Sequence, residues 1–222
     1  MATHPLHDPH RSSVPAVEAV VFDFDGTLAA TRSADEAAVA ALIAADPSAA
    51  AGVGIFWAHD GEPILARIEM AWPGRGATVL PLFDRQEPSR PYPGVVPLLQ
   101  RLRRSSLPMA VVSSRRRAAL KSGLQATGLQ HFFPVVVGLD DVSAPKPDPE
   151  GLLLAASLLG TPAGRTVYVG DNPLDVEAGH RAGVTVWRAV WGQPPVSPNG
   201  VVLLRRPAEV WSRLDRMRRG SG

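Results

Sequence analysis

Two carboxylates stand two positions apart at the end of an apolar run. Residues 20–22 lead into Asp23 and Asp25, and Gly26 and Thr27 follow. Side chains at positions i and i+2 of a strand point the same way, so the two carboxylates converge where the strand ends. The glycine lets the backbone turn closely around a ligand. Acidic groups in this arrangement favour a divalent cation and indicate phosphoryl-transfer chemistry.

A second polar group follows the apolar run at 109–112. Ser113, Ser114 and Arg115 supply two hydroxyls and a guanidinium there. Since ligands of parallel sheets lie outside the carboxyl ends of the strands, these side chains are candidates for the same site. Taken alone, a serine pair after a strand is equally typical of an ordinary helix N-cap.

The third candidate is Lys146, which stands between Pro145 and Pro147. The chain has only two lysines, Lys121 and Lys146, against 21 arginines. An ammonium group is a compact charge that can neutralise a phosphoryl oxygen and a carboxylate together. We therefore interpret Lys146 as a site residue, although a lysine is more often found at the surface.

A last polar group follows the run at 166–170. Asp171 stands at the predicted strand end and supplies a further metal carboxylate; Asn172 follows it, and Asp175 lies one helical turn on. A site built from oxygen ligands alone suits Mg²⁺ better than zinc or copper. The alternative for Asp175 is a favourable charge at a helix N-terminus.

Short β-branched runs alternate with helical patterns, which predicts an α/β fold with a Rossmann-like parallel sheet core. The predicted strands cover 18–24, 109–113, 134–138, 166–170, 184–187 and, more weakly, 200–204. The predicted helices cover 95–104, 115–128, 149–160, 174–182 and a basic segment at 207–218, whose arginines we interpret as a solvated face.

The alternation is interrupted between residues 31 and 90. Helical patterns at 33–45 and 61–71, with loops at 47–54 and 72–91, predict a small helical cap inserted after the first strand. The alternative is an irregular excursion that only packs on the core. The predicted organisation is a disordered tail at 1–15, a core at 16–30 and 91–222, and a cap at 31–90, whose first candidates for substrate contact are Trp57, His59, Glu62 and Arg67.

The composition excludes several kinds of protein. The 222 residues are 45% hydrophobic and 20% charged, as in a globular domain, and the formal charge is only +2. Because the arginines are scattered, no nucleic-acid partner is expected. The absence of cysteine excludes a disulfide framework, a thiolate nucleophile and a cysteine-bound zinc. No apolar run suggests a membrane span or a signal-peptide core, so we expect a cytoplasmic protein without a membrane partner.

The four polar groups, in this order, resemble the four motifs of the haloacid dehalogenase (HAD) superfamily over residues 16–192. The segments 92–95 and 183–192 resemble its phosphoglycolate-phosphatase-like branch. The resemblance implies that Asp23 is the nucleophile, Asp25 the general acid and base, and that Ser113 and Lys146 are catalytic. It implies phosphate contacts from Gly26, Thr27, Ser114 and Arg115, a Mg²⁺ ion on Asp23, Asp25 and Asp171, and supporting roles for Asn172 and Asp175.

By this resemblance, the chain hydrolyses a small phosphorylated metabolite through an aspartyl-phosphate. Asp25 must protonate the leaving group, so its surroundings are expected to raise its pKa. A carbon–halogen hydrolase would not need Asp25, and a phosphonate hydrolase would need a cap lysine, which is missing before Lys121. A phosphomutase, a pyrophosphatase or a catalytically silent binding protein stay open as alternatives, and no oligomeric state follows from the sequence.

Overall fold

The structure is a computed structural model that describes residues 17–84, 90–193 and 200–220; the predicted disordered tail at 1–15 lies outside these ranges. The strands are β1 (Ala19–Phe22), β2 (Ala29–Ala30), β3 (Arg90–Pro91), β4 (Met109–Val112), β5 (Val135–Val137), β6 (Thr166–Gly170), β7 (Thr185–Ala189) and β8 (Val202–Leu204). The helices are α1 (Arg32–Ala45), α2 (Val53–Ala58), α3 (Ile64–Ala71), α4 (Gly76–Asp84), α5 (Val95–Arg104), α6 (Arg117–Ala126), α7 (Glu150–Leu158), α8 (Pro173–Ala182) and α9 (Ala208–Gly220).

Six of the described strands form one parallel sheet in the order β5-β4-β1-β6-β7-β8. Its central strands β1, β4 and β6 are buried along their whole length. Burial on both faces explains why these strands are continuous apolar runs rather than alternating ones. The prediction of an α/β fold with a parallel sheet core is therefore confirmed.

Each face of the sheet carries its own apolar core. Val20 and Phe22 of β1 point into one cluster, and Val21, between them, points into the other. This division follows from the alternation of side chains along a strand. The first cluster is closed by α5, α6 and α9, and the second by α7 and α8.

The strand order sets the place of the site. The chain passes from β1 outward to β4 and β5, and then returns to the other side of β1 to form β6. Parallel sheets bind ligands at such a reversal, outside the carboxyl ends of the strands. The residues that directly follow β1, β4 and β6 therefore meet in one crevice.

A helical insertion, which we define as residues 32–84, leaves the sheet after β1. Strands β2 and β3 flank it and pair antiparallel, with Ala30 opposite Arg90. Its helices α1–α4 pack around a cluster of their own, separate from the two sheet clusters, that includes Phe56, Ile68 and Trp72. The insertion thus has its own apolar core beside the strand-end crevice.

The loop predicted at 47–54 is helical, and most of the described part of the loop predicted at 72–91 is helical too, so these two predictions are wrong. Residues 85–89 of the second loop lie outside the described ranges. A 3₁₀ helix covers Pro47–Gly52, α2 begins at Val53, and α4 covers Gly76–Asp84. Pro47 occupies the first turn of its helix, where proline is favourable because no hydrogen-bonded N–H is lost there. Pro81 lies within α4, where packing of the helix on Phe56 outweighs its unfavourable propensity. The segment also holds the short strand β3.

The aromatic centre of the insertion gives a stability prediction. Phe56 is fully buried, and its ring lies 5.5 Å from that of Trp72 and 5.3 Å from that of Phe83. Phe56→Ala leaves a cavity there, and we expect it to lower the free energy of unfolding by about 3–5 kcal/mol in denaturant titrations. Ile55→Ala is the control, since Ile55 is 45% exposed on the same helix. Equal, small losses in both variants would show that the insertion has no packed core.

Candidate active site

The most buried charges of the site belong to Lys146, Asp23 and Asp175. The ammonium nitrogen of Lys146 lies 2.7 Å from Oδ1 of Asp23 and 2.7 Å from Oδ1 of Asp175. Asp23 follows β1, Asp175 lies in the first turn of α8, and Lys146 comes from the loop before α7. All three side chains are less than a tenth exposed. The lysine therefore holds the two carboxylates on either side of one cation.

Tyr168 completes this arrangement, and the sequence reasoning missed it. Its hydroxyl donates to Oδ1 of Asp175 at 2.7 Å and accepts from Lys146 at 3.2 Å. The other oxygen of Asp175 accepts from the backbone N–H of Asn172 at 3.0 Å. A tyrosine within the apolar strand β6 was the available signal, because a buried phenol hydroxyl needs a partner.

The electrostatics of the group follow from its burial. Burial raises the pKa of Asp23 well above its usual range; the charges of Asp175 and Asp171 add to the rise, while Lys146 opposes it. Burial alone would lower the pKa of Lys146, but the two neighbouring carboxylates outweigh it and the pKa is raised. Burial therefore destabilises the ionised form of the carboxylates, and a nearby cation stabilises it.

The carboxylate of Asp25 is paired with the guanidinium of Arg115. Nε of Arg115 donates to both carboxylate oxygens of Asp25, at 3.0 and 2.8 Å, and Nη2 donates to Oδ1 at 2.7 Å. Burial favours a higher pKa for Asp25, but the charge and hydrogen bonds of Arg115 outweigh it and the pKa is lowered. The expectation that the surroundings raise this pKa is therefore wrong, because a paired guanidinium stabilises the ionised form.

Asp171 is oriented from three sides. Its Oδ1 accepts from the hydroxyl of Thr27 at 3.2 Å, and its Oδ2 accepts from the amide of Gln193 at 2.7 Å. Gln193 and Arg188 also donate to its backbone carbonyl, at 3.0 and 2.9 Å. The sequence reasoning gave neither residue a role: Arg188 lies within the segment 183–192, and Gln193 directly follows it. Burial, followed by the charge of Asp175, raises the pKa of Asp171 to about 8.

Gly26 lies against Asp171. Its φ is +75°, a left-handed conformation that favours glycine. A side chain at this position would collide with the Asp171 carboxylate. The turn after β1 can therefore pass this close to β6 only with glycine at position 26.

The remaining predicted phosphate contacts lie at the same strand ends. The hydroxyl oxygen of Ser113, which is buried, accepts from the backbone N–H of Arg115 at 3.1 Å. Ser114 instead donates to the carbonyl of Gly61 in the insertion, at 2.9 Å, and Asn172 donates to the carbonyl of Asp60 at 2.8 Å. The two core side chains therefore join the insertion to the core in this arrangement.

Three of the acidic groups fit a divalent cation. One oxygen from each of Asp23, Asp171 and Asp175 lies within 4.8 Å of the other two. A buried set of three carboxylates with only Lys146 among them carries excess negative charge, and oxygen donors of this kind suit Mg²⁺. The predicted ligand set had Asp25 in place of Asp175, but the carboxylate of Asp25 contacts Arg115. Its membership of the metal site stays a prediction.

The chain is similar in sequence to known hydrolases. A profile of the haloacid dehalogenase-like hydrolases matches residues 82–189. "Probable phosphatase IndB" of Dickeya dadantii is 33% identical over 190 residues, which cover 78% of this chain and 81% of that protein. "Pyrophosphatase PpaX" of Listeria monocytogenes is 39% identical over 100 residues, 45% of this chain and 46% of PpaX, so the match spans about half the length of that relative.

A solved structure shows the same fold. It is described as a putative phosphoglycolate phosphatase from Lactobacillus plantarum, and it superposes with a TM-score of 0.72 at 23% identity, covering 89% of this chain and 99% of that one. The profile match, the IndB likeness and the shared fold support the family resemblance of the sequence. The chain belongs to the haloacid dehalogenase-like hydrolase family.

Proposed function

We propose that this protein is a Mg²⁺-dependent phosphatase that hydrolyses a small phosphorylated metabolite through an aspartyl-phosphate on Asp23. The observation that carries the proposal is the placement of Asp23 at the end of β1, with Lys146 2.7 Å away and with Asp171 and Asp175 beside it. A carboxylate nucleophile must approach an anionic phosphoryl group, so it needs cations at the same place. The names of IndB and PpaX agree with phosphoryl chemistry in the family.

The proposed steps are two displacements at phosphorus. A carboxylate oxygen of Asp23 attacks the phosphorus atom, the ester oxygen leaves as the alcohol, and water then releases phosphate from Asp23. Lys146 offsets the charge of the nucleophile, and Ser113 offers a hydroxyl to a phosphoryl oxygen. Asp23, Asp171 and Asp175 would hold Mg²⁺, which supplies further charge neutralisation when bound.

Asp25 is the proposed proton donor to the leaving alcohol. It can act so only after its pairing with Arg115 loosens, because that pairing stabilises the ionised carboxylate. The side chains of Arg115 and Asp25 are 34% and 36% exposed, so substrate can reach the pair. We infer that a bound phosphoryl group draws the guanidinium of Arg115 and frees Asp25 to take a proton.

The helical insertion is proposed to act as a cap. Ser114 and Asn172 bind backbone carbonyls of the insertion at 2.9 and 2.8 Å, which is the contact expected of a closed cap. A closed cap excludes water from the aspartyl-phosphate until hydrolysis and contacts the organic part of the substrate. The core then binds the phosphoryl group of each substrate in the same way, and the insertion distinguishes substrates by their organic part.

The first prediction from this proposal concerns the nucleophile. Asp23→Asn is nearly isosteric but removes the attacking charge, and we expect it to lower kcat for p-nitrophenyl phosphate at least about a thousandfold. Asp215→Asn makes the same change on α9, where Asp215 pairs with Arg219 at 2.9 Å, and should leave turnover intact. Retention of a tenth of the wild-type rate by a folded Asp23→Asn protein would contradict covalent catalysis at this residue.

The second prediction concerns Asp25 and uses leaving groups of different acidity. Asp25→Asn should lower turnover of an alkyl phosphate at least about tenfold more than turnover of p-nitrophenyl phosphate, because p-nitrophenolate departs without a proton. Steady-state rates on both substrates, with and without the substitution, measure this difference. Equal losses on both would argue that Asp25 does not donate the proton.

The third prediction concerns Mg²⁺ and pH. The pKa of Asp171 rises from its ordinary value of 3.8 to about 8 in the metal-free fold. Over this range the folded chain keeps a proton that the unfolded chain releases, so the free energy of unfolding falls as pH increases. Since Mg²⁺ requires the ionised carboxylate, its effect on the melting temperature should grow from pH 6 to pH 8.

Thermal melting with and without excess Mg²⁺ measures this effect without reference to activity. The control variant is Asp171→Asn, which has no carboxylate to ionise and should show a smaller, flatter response to the metal. A Mg²⁺ shift that is the same at every pH, or equal in the variant, would remove Asp171 from the metal site.

A further inference from the structure

The helical insertion brings a second group of charges to the site, made of Asp35, Asp60, Arg32 and Arg67. Nη1 of Arg67 lies 3.2 Å from Oδ2 of Asp35 and 3.4 Å from Oδ1 of Asp60. Nη1 of Arg32 lies 4.0 Å from Oδ2 of Asp60. The two guanidiniums therefore contact these two carboxylates, and Arg32 also pairs with Glu36 at 3.1 Å. We call Asp35, Asp60, Arg32 and Arg67 the insertion charge cluster.

Contacts with the core show that this cluster faces the strand ends. The backbone carbonyl of Asp60 accepts from Asn172, the residue after Asp171. At the other side, Thr31 helps to lower the pKa of Asp25. The backbone N–H of Asp35, one helical turn later in α1, donates to the carbonyl of Thr31 at 3.2 Å. The charge of Asp60 contributes to the raised pKa of Asp171, in addition to burial and Asp175. The two insertion carboxylates thus lie close to the carboxylates of the core.

The two sides of the site differ in their charge balance. The core side has four carboxylates, and Lys146, Arg115 and Arg188 are its cations. A divalent cation would turn this side positive, which suits an incoming phosphoryl dianion. The insertion charge cluster has no excess positive charge, because Asp35, Asp60 and Glu36, which also pairs with Arg32, outnumber its two guanidiniums. It offers no spare positive charge to a second anionic group.

Arg67 also retains a donor for a neutral ligand. It is 5% exposed, and its guanidinium carbon lies 4.0 Å from the centre of the Phe56 ring and 5.5 Å from that of Trp57. Its Nη2 is buried and has no hydrogen-bond partner in the part of the chain that the structure describes. A buried donor without a partner is unfavourable, so an acceptor at this place would stabilise the arrangement. Because Asp35 and Asp60 both contact Nη1, a hydroxyl oxygen on Nη2 would not compete with either carboxylate.

We propose that the insertion recognises an uncharged, hydroxylated leaving group, so that the preferred substrate is a polyol or sugar monophosphate. Asp35 and Asp60 would accept from hydroxyls of the leaving group, and Arg67 would donate to one of them. If the leaving group carried a carboxylate or a second phosphoryl group, this negative charge would lie near Asp35 and Asp60 with no free cation to offset it. Such an arrangement is unfavourable. This assignment rests on the proposed phosphatase function and disfavours pyrophosphate.

A matched pair of substrates tests the assignment. Glycerol 3-phosphate and 3-phosphoglycerate differ only in a hydroxymethyl group that is a carboxylate in the second compound. With Mg²⁺ present, we expect kcat/KM for glycerol 3-phosphate to exceed that for 3-phosphoglycerate and for pyrophosphate at least about tenfold. Asp60→Asn removes one repelling charge and should reduce the preference over 3-phosphoglycerate at least about threefold. Asp35→Asn should act in the same direction.

Asp46→Asn is the matched control, since Asp46 follows the last turn of the same helix, is 36% exposed and pairs with Arg75 at 2.8 Å rather than with the insertion charge cluster. It should leave the ratio between the two substrates unchanged. An equal or reversed preference in the wild type, or an unchanged ratio in both Asp35→Asn and Asp60→Asn, would overturn the assignment. Failure to hydrolyse any phosphomonoester, p-nitrophenyl phosphate included, would instead overturn the proposed phosphatase function.

Discussion

The site depends on one ammonium group held between two buried carboxylates. Lys146 lies at 2.7 Å from both Asp23 and Asp175, and none of the three side chains is more than 8% exposed. Taking such charges out of water is unfavourable unless each finds partners, so the surrounding groups have to supply them. Tyr168 and the N–H of Asn172 do so for Asp175. The fold thereby holds two carboxylates and one ammonium group together at the end of β1.

The burial of the sheet also bears on the proposed roles of the core and the insertion. The sheet can position Asp23, Asp171 and the cations rigidly because it is buried on both faces, but it offers little contact to the rest of a substrate. The insertion has its own apolar cluster and meets the core through polar contacts such as those of Ser114 and Asn172. Polar contacts of this kind can open and close at small cost, unlike a shared apolar core. Phosphoryl chemistry and substrate choice can therefore reside in different parts of the chain.

Much of the core could be predicted from the sequence, because its signals are local. Asp23 and Asp171 each follow an apolar run, and parallel strands bring such ends together. The insertion was harder, since the segments 47–54 and 72–91, which hold Pro47 and Pro81, were predicted as loops. In the structure one proline begins a 3₁₀ helix, and the other lies in a helix that packing on Phe56 stabilises. Such tertiary effects have no local pattern.

The electrostatics of the site were the least predictable part. Arg115 is 90 residues from Asp25, and only the folded chain shows that they pair and lower the pKa of Asp25. Gln193 likewise reaches Asp171 from the segment after β7, without a motif to mark it. Long-range pairs of polar side chains leave no periodicity in a sequence. Such pairs can be identified only from the structure.

The stereochemical course at phosphorus tests the central claim most directly. A phosphorothioate monoester made chiral with oxygen isotopes would be hydrolysed in isotope-labelled water, and the configuration of the product determined. Attack by Asp23 followed by attack of water is two inversions, so the account predicts overall retention. Overall inversion would mean that water attacks the substrate directly, and it would contradict an aspartyl-phosphate intermediate.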